Sequence, residues 1–127
     1  MVWNFNNDMP IYAQLVSQVK FAIASGELLP GDRMQTVREM ALEAGVNRNT
    51  MQRALQQLER EGLVYSQRSS GRFVTEDVSV IDRARSAQAA AYVRRYKDAM
   101  HSLGFSEEDM RTLLDRSGEE NDHGDLS

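Results

Sequence analysis

The sequence predicts a mostly α-helical chain with one small β-hairpin, and three observations carry that prediction. Apolar residues recur at helical spacing over 12–23, 37–58 and 89–103. A glycine at position 45 splits the middle stretch into two helices joined by a tight turn. Two short strand-like runs, Leu63-Val64-Tyr65 and Arg72-Phe73-Val74, flank the polar stretch "SQRSSG". In that order the elements read as a winged helix-turn-helix followed by a C-terminal two-helix segment.

Each element follows from local chemistry. Pro10 suits the first turn of a helix, and Tyr12, Leu15, Val16, Val19, Ala22 and Ile23 form its apolar stripe. Ser25-Gly26 closes it, Pro30-Gly31 turns the chain, and Arg33-Met34 reads as a scrap of strand. Thr36-Val-Arg-Glu39 is a capping box opening a helix over about 36–44 that buries Val37, Met40, Ala41 and Ala44. Asn47 is a good N-cap for the next helix, about 47–61, whose inward residues are Met51, Ala54, Leu55 and Leu58. Gly62 ends that helix in the left-handed conformation. From about Ser79 a long helix carries the stripe Ala89, Tyr92, Val93, Tyr96, Met100 and Leu103. Gly104-Phe105 stops it, and Ser106-Glu-Glu-Asp109 caps a short last helix with Met110, Leu113 and Leu114. Residues 118–127 read as a disordered acidic tail.

Composition narrows the function classes. The chain has 127 residues, no cysteine and a formal net charge of −4, so disulfide frameworks, thiolate metal sites and cysteine nucleophiles are excluded. His101 and His123 have no second ligand at metal spacing, and no phosphate loop or catalytic motif is present. Glu107, Glu108 and Asp109 are first-turn acids favoured by the helix dipole. No catalytic residue, metal or cofactor is therefore expected. The N-terminus lacks the regions of a signal peptide and no apolar run approaches a membrane span, so the expected compartment is the cytoplasm.

The total charge hides an uneven distribution. Residues 10–75 hold eight basic and six acidic residues, whereas 118–127 hold four acids and no base. No acid stands between Glu43 and Glu59. With the apolar residues of the 47–61 helix turned inward, Arg48, Asn49, Gln52, Arg53 and Gln56 are left for solvent or a groove. Arginine bonds guanine in a bidentate way, and asparagine or glutamine does so with adenine. Thr50 and the amides of the helix start suit a phosphate, and Arg38 begins the preceding helix on the same side. Taken one at a time, such residues are most often a solvated helix face. Their place after a glycine turn and before a hairpin with Arg68 and Arg72 favours double-stranded DNA as the partner.

Residues 10–75 resemble the N-terminal winged-helix domain of GntR-type bacterial transcription regulators, through "PIYAQLVSQVKFAIASGELLPGDRM", "TVREMALEAGVNRNTMQRALQQLEREGLV" and "GRFV". The resemblance implies DNA contacts by Arg38, in the "S/T-x-R-E" motif, and by Arg48, Asn49 and Thr50, in the "V-S/N-R-x-T" segment. Gln52 stands where the family more often has arginine, with Arg53 following. The usual wing "G-x-G-T-F-V" reads Ser69-Ser70-Gly71-Arg72-Phe73-Val74 here, one glycine short. Arg68, Ser70, Gly71 and Arg72 are the wing residues expected at DNA. The short C-terminal segment resembles the YtrA-like branch, in which such helices form the dimer.

These readings give a domain organisation and a function as expectations. Residues 8–77 form the winged helix-turn-helix, 78–117 a helical dimerisation segment, and 118–127 the tail. Tyr92, Val93, Tyr96, Met100 and Leu103 pair two copies, because one helix with a short partner covers that stripe poorly; packing back on the 12–23 helix is the alternative. The expected function is a homodimeric, sequence-specific repressor that binds a palindromic operator, with the 47–61 helix in the major groove and the wing 66–72 on the flank. The alternative is a winged-helix adaptor for protein partners without specific DNA binding. A small-molecule effector in a pocket lined by Tyr92, Tyr96 and Met100 is conceivable, with plain core packing the favoured account of those residues.

Overall fold

The computed structural model describes residues 1–125, with side chains through Gly118. Its elements are α1 (Ile11–Ser25), α2 (Val37–Ala44), α3 (Arg48–Arg60), β1 (Val64–Gln67), β2 (Gly71–Val74), α4 (Val78–Ser102) and α5 (Glu107–Asp125). They fall into two compact units, Met1–Ala87 and Gln88–Ser127, with α4 running through both.

The first unit is built around one apolar core. Leu15, Val19, Ala22 and Ile23 of α1 meet Met40 and Ala41 of α2 and Met51, Ala54, Leu55 and Leu58 of α3. Leu63, Val64 and Val74 of the hairpin and Ile81 of α4 close it. Val80 and Ala84 pack against the same core, and the compact unit runs to Ala87.

The turn between α2 and α3 is fixed at both ends. Thr36 Oγ1 accepts the Glu39 amide at 3.1 Å. Glu39 returns its carboxylate to the Thr36 hydroxyl, not to the Thr36 amide as a full capping box would. Gly45 has φ +71°, a left-handed conformation that a side chain would oppose, and so redirects the chain at once. Its N–H donates to the Leu42 carbonyl and that of Val46 to the Ala41 carbonyl, satisfying the end of α2. Asn47 then caps α3 by accepting the Asn49 amide at 2.7 Å.

The hairpin pairs Val64 with Val74 and Gln67 with Gly71. On its other edge, Arg33 bridges Phe73 and the Met34 amide donates to the Arg72 carbonyl at 2.8 Å. The Arg33-Met34 scrap thus adds an isolated β-bridge to the edge of the two-stranded wing.

Residues 1–6 are an unanticipated part of this unit. Met1, Trp3 and Phe5 pack against the core. Between them the backbone is held by α1: Gln18 bonds both the amide and the carbonyl of Asn4, at 3.0 and 2.8 Å, and Gln14 does the same for Asn6, both at 2.9 Å. One turn apart on the helix, the two glutamine amides act as the partner strand for an extended arm.

In the second unit, α4 ends as expected. The Phe105 amide donates to the Met100 carbonyl and that of Gly104 to His101. Ser106 and Asp109 exchange amide bonds at 3.1 and 2.9 Å to start α5. The helix does not stop before Gly118. It continues through Gly118 and Gly124 to Asp125, because each glycine costs a helix only about 1 kcal/mol and Glu119-Glu120 are good helix formers. The last two residues of the expected tail, 126–127, lie outside the described residues.

Candidate nucleic-acid interface

With Met51, Ala54, Leu55 and Leu58 buried on one side of α3, the opposite side is polar and open. Its N-terminal end meets the start of α2 across an open groove of about 660 Å³ lined by Val37, Asn47, Arg48, Asn49 and Gln52. A second groove of about 360 Å³ joins the residues before α2 to the wing, with Arg33, Gln35, Thr36, Gln67, Ser69 and Arg72 among its lining. Val37 lines both grooves, which side by side are the trough between the wing and helix α3. Among the described residues, no carboxylate lines either part. The result is an amide-and-guanidinium surface inside an acidic protein, and local field rather than net charge governs attraction of a polyanion.

The predicted site residues divide on this surface. Arg48, Asn49 and Gln52 are brought together on the trough. Arg38 is exposed in the first turn of α2, beside Val37. Thr50 is half-buried and outside the groove lining. Arg53 is exposed, but its guanidinium lies over the Tyr12 ring, 4.9 Å from the centroid. Among the described residues, no carboxylate lies within ion-pair distance of Arg38, Arg48, Arg53 or Arg68.

The wing differs from the sequence reading in one respect. Ser69, at the position of the missing glycine, takes φ +69°, a conformation disfavoured by about 1 kcal/mol in a non-glycine residue. Gly71, at φ +106°, admits Arg33: a Cβ there would lie 3.3 Å from the Arg33 Nε. Arg68 and Ser70 are exposed near the tip. Arg72, however, is not a free cation. Its Nε donates to Glu59 Oε1 at 2.7 Å, which ties the wing to α3. The reason is register: position 72 is half-buried beside the end of α3, whereas the tip is not. Arg33, adjacent to Gly71 and lining the trough, is the cation that sequence reasoning missed; only its tertiary bridge to Phe73 brings it there.

Glu59 also accepts the Ser66 hydroxyl. Burial alone would raise its carboxyl, but the bonds from Ser66 and Arg72 and the charge of Arg72 outweigh it and hold the group below its ordinary value of 4.5. A depressed carboxylate contributes stability that is present above the unfolded value and lost as pH falls through the folded one. The Arg72 Nε–H resonance is therefore expected to shift in one step with a midpoint below 4.5, and Glu59→Gln to abolish that step. A midpoint at or above 4.5 would contradict this assignment of the wing contact.

In the second unit the stripe on α4 is only partly covered within the chain. Tyr92, Val93 and Leu103 are 45, 53 and 72 % exposed, while Tyr96 and Met100 are half-buried. Between α4 and α5 lies an apolar cleft of about 400 Å³, with Tyr92, Val93, Tyr96, Met110 and Leu114 on its walls. Lys97 and Glu107 pair at 3.1 Å on its rim. Among the described residues, no helix is long and apolar enough to cross a membrane, and no group of three His, Cys, Asp or Glu is placed to hold a metal ion.

Comparison with known proteins agrees with this geometry. Residues 11–74 match the family described as "Bacterial regulatory proteins, gntR family". The chain is 35% identical over 106 residues to the uncharacterized HTH-type transcriptional regulator YhcF of Bacillus subtilis (strain 168), spanning 84% of this chain and 88% of that one. It is 38% identical over 68 residues to the HTH-type transcriptional repressor YtrA of the same organism, spanning 54% and 52%. Among solved structures, a GntR family transcriptional regulator from Listeria monocytogenes superposes with a TM-score of 0.81 at 30% identity, over 88% of this chain and 98% of that one. The DNA-binding domain of AraR in complex with operator ORX1 gives a TM-score of 0.54 at 30% identity, over 59% and 96%.

Proposed function

The chain belongs to the gntR family of bacterial regulatory proteins, and we propose from that premise that it is a DNA-binding transcription regulator which works as a two-fold pair and represses by occupying its operator. The observation that carries the DNA reading is the acid-free trough from the wing to the start of α3, where Arg48, Asn49 and Gln52 converge. Helix α3 enters the major groove by its N-terminal half, and these three residues read base edges. Arg38, Arg33, Arg68 and the exposed tip residue Ser70 meet backbone phosphates. Arg72 braces the wing through Glu59 in this reading, and Gly71 lets Arg33 approach it. Such a protein works in the cytoplasm, where its DNA is.

The pairing surface in this proposal is the exposed stripe of α4 with the cleft beside it. Tyr92, Val93, Tyr96, Met100 and Leu103 meet their counterparts across a two-fold axis, and the cleft takes side chains of the partner copy rather than an effector. A two-fold pair sets two copies of α3 about 34 Å apart, or a multiple of that, and so selects palindromic DNA.

Selection from a pool of random duplexes tests both parts. The expected product is an enriched palindrome whose half-sites are centred one or two helical turns apart. Enrichment of a single unrepeated site would exclude the two-fold pair, and no enrichment at all would exclude sequence-specific binding.

A further inference from the structure

We propose that Tyr12 is a positioning residue for DNA binding: its ring holds the Arg53 guanidinium on the α1 side of α3, in place for a backbone phosphate beside the major groove. This inference rests on the DNA reading above. It concerns the flank of α3 that the trough does not reach. At ~100° per residue, Arg53 lies about 140° round the helix from Arg48, on the side shared with α1.

Five residue pairs define that flank. The Arg53 Cζ sits 4.9 Å from the centroid of the Tyr12 ring. The Tyr12 hydroxyl donates to Gln57 Oε1 at 3.4 Å. The same oxygen accepts Arg60, through Nε at 3.1 Å and Nη2 at 2.6 Å. The neighbouring acid, Glu61, is taken by Lys20 at 2.6 Å and by Gln57 at 3.2 Å. The ring is therefore fixed by core packing on one side and by Gln57 at its tip. Arg60 is held by Gln57 and Glu61 is matched by Lys20, whereas Arg53 has neither an ion pair nor a hydrogen bond among the described residues.

Such an arrangement suits a phosphate. An unstacked arginine samples many rotamers and must give up that freedom on binding. Stacked over an aromatic face, the guanidinium is already ordered, and its planar fork of N–H groups stays available at the edge for a bidentate bond to an anion. Tyr12 thus acts through Arg53 and touches no DNA itself.

The test is a set of affinities for the selected palindrome and for a random duplex, each measured across a salt series. Arg53→Ala is expected to weaken both duplexes alike, about 3- to 10-fold, and to reduce the salt slope by about two for the pair of chains. Tyr12→Phe retains the ring face and is expected to bind as the parent does. Pentafluorophenylalanine at position 12 keeps the ring but reverses the charge on its face, and is expected to lose about 3-fold per half-site. Tyr12→Leu combined with Arg53→Ala is expected to bind no more weakly than Arg53→Ala alone. Equal affinity with phenylalanine and its pentafluoro analogue would overturn the proposal, as would losses that multiply in the double variant. The fluorinated chain keeps the test decisive should Tyr12→Leu fail to fold. Arg48→Ala, run alongside, separates the two levels: if it abolishes preference for the palindrome while the Tyr12 and Arg53 losses multiply, only this inference falls. If the parent shows no preference for the palindrome, the DNA reading falls with it.

Discussion

Arg48→Ala is expected to lower affinity for the operator by about 1–3 kcal/mol per half-site, and hence by about twice that for a two-fold pair, while leaving the fold intact. Arg48 stands at the first position of α3, on the trough, with no carboxylate within ion-pair distance among the described residues. Among the described residues it has no ion-pair or hydrogen-bond partner to lose, so its removal is expected to register at DNA. The expected signature is selective: affinity for the operator drops, affinity for random duplex drops far less, and preference relaxes at one base pair of each half-site. Titration of both duplexes at one salt concentration measures it. Equal losses on the two duplexes would make Arg48 a phosphate contact, and α3 would then read sequence without it.

The second large effect is on stability and comes from the other side of the same helix. Leu55 has no exposed surface and sits where α3 meets the α1 and α2 core. Leu55→Ala is expected to cost about 2–5 kcal/mol, since it removes buried methyl groups and leaves a cavity in a close-packed site. A small domain has only about 5–15 kcal/mol in hand, so the variant loses a large share of its margin and melts many degrees lower. Gln56→Ala, one position on and exposed, is expected to change stability by no more than about 0.5 kcal/mol. Urea unfolding of the three proteins checks the contrast. Similar losses at 55 and 56 would mean that the faces of α3 are assigned wrongly.

What the sequence made legible was whatever depends on near neighbours. Gly45 and the caps at Thr36 and Asn47 act within four residues, and they set the helix-turn-helix. The stripe on α1 and the strand pairing around the wing are likewise local patterns, and Arg48, Asn49 and Gln52 converge because helical spacing alone puts them on one side. The rest depends on contacts distant in the chain. Arg72 looked available because its partner, Glu59, lies thirteen residues earlier and on a different element. Arg33 is carried to the trough by a bridge to Phe73, forty residues on. Tyr12 read as one more apolar residue on a stripe; its hold on Arg53 and Gln57 exists only once α1 and α3 are packed. The arm at residues 1–6 carries a short alternation, Met1, Trp3 and Phe5 inward, but a strand partner for it was not legible, because its backbone partners are the side-chain amides of Gln14 and Gln18.

The central claim is that the N-terminal half of α3 lies in the major groove of a duplex, and methylation interference at guanine N7 tests it most directly, because N7 faces that groove alone. On the selected palindrome the account predicts that methylating guanines in each half-site blocks binding, at symmetric positions, and that Arg48→Ala relieves the block at one guanine of each half-site. Binding indifferent to N7 methylation at every guanine of the site would contradict it.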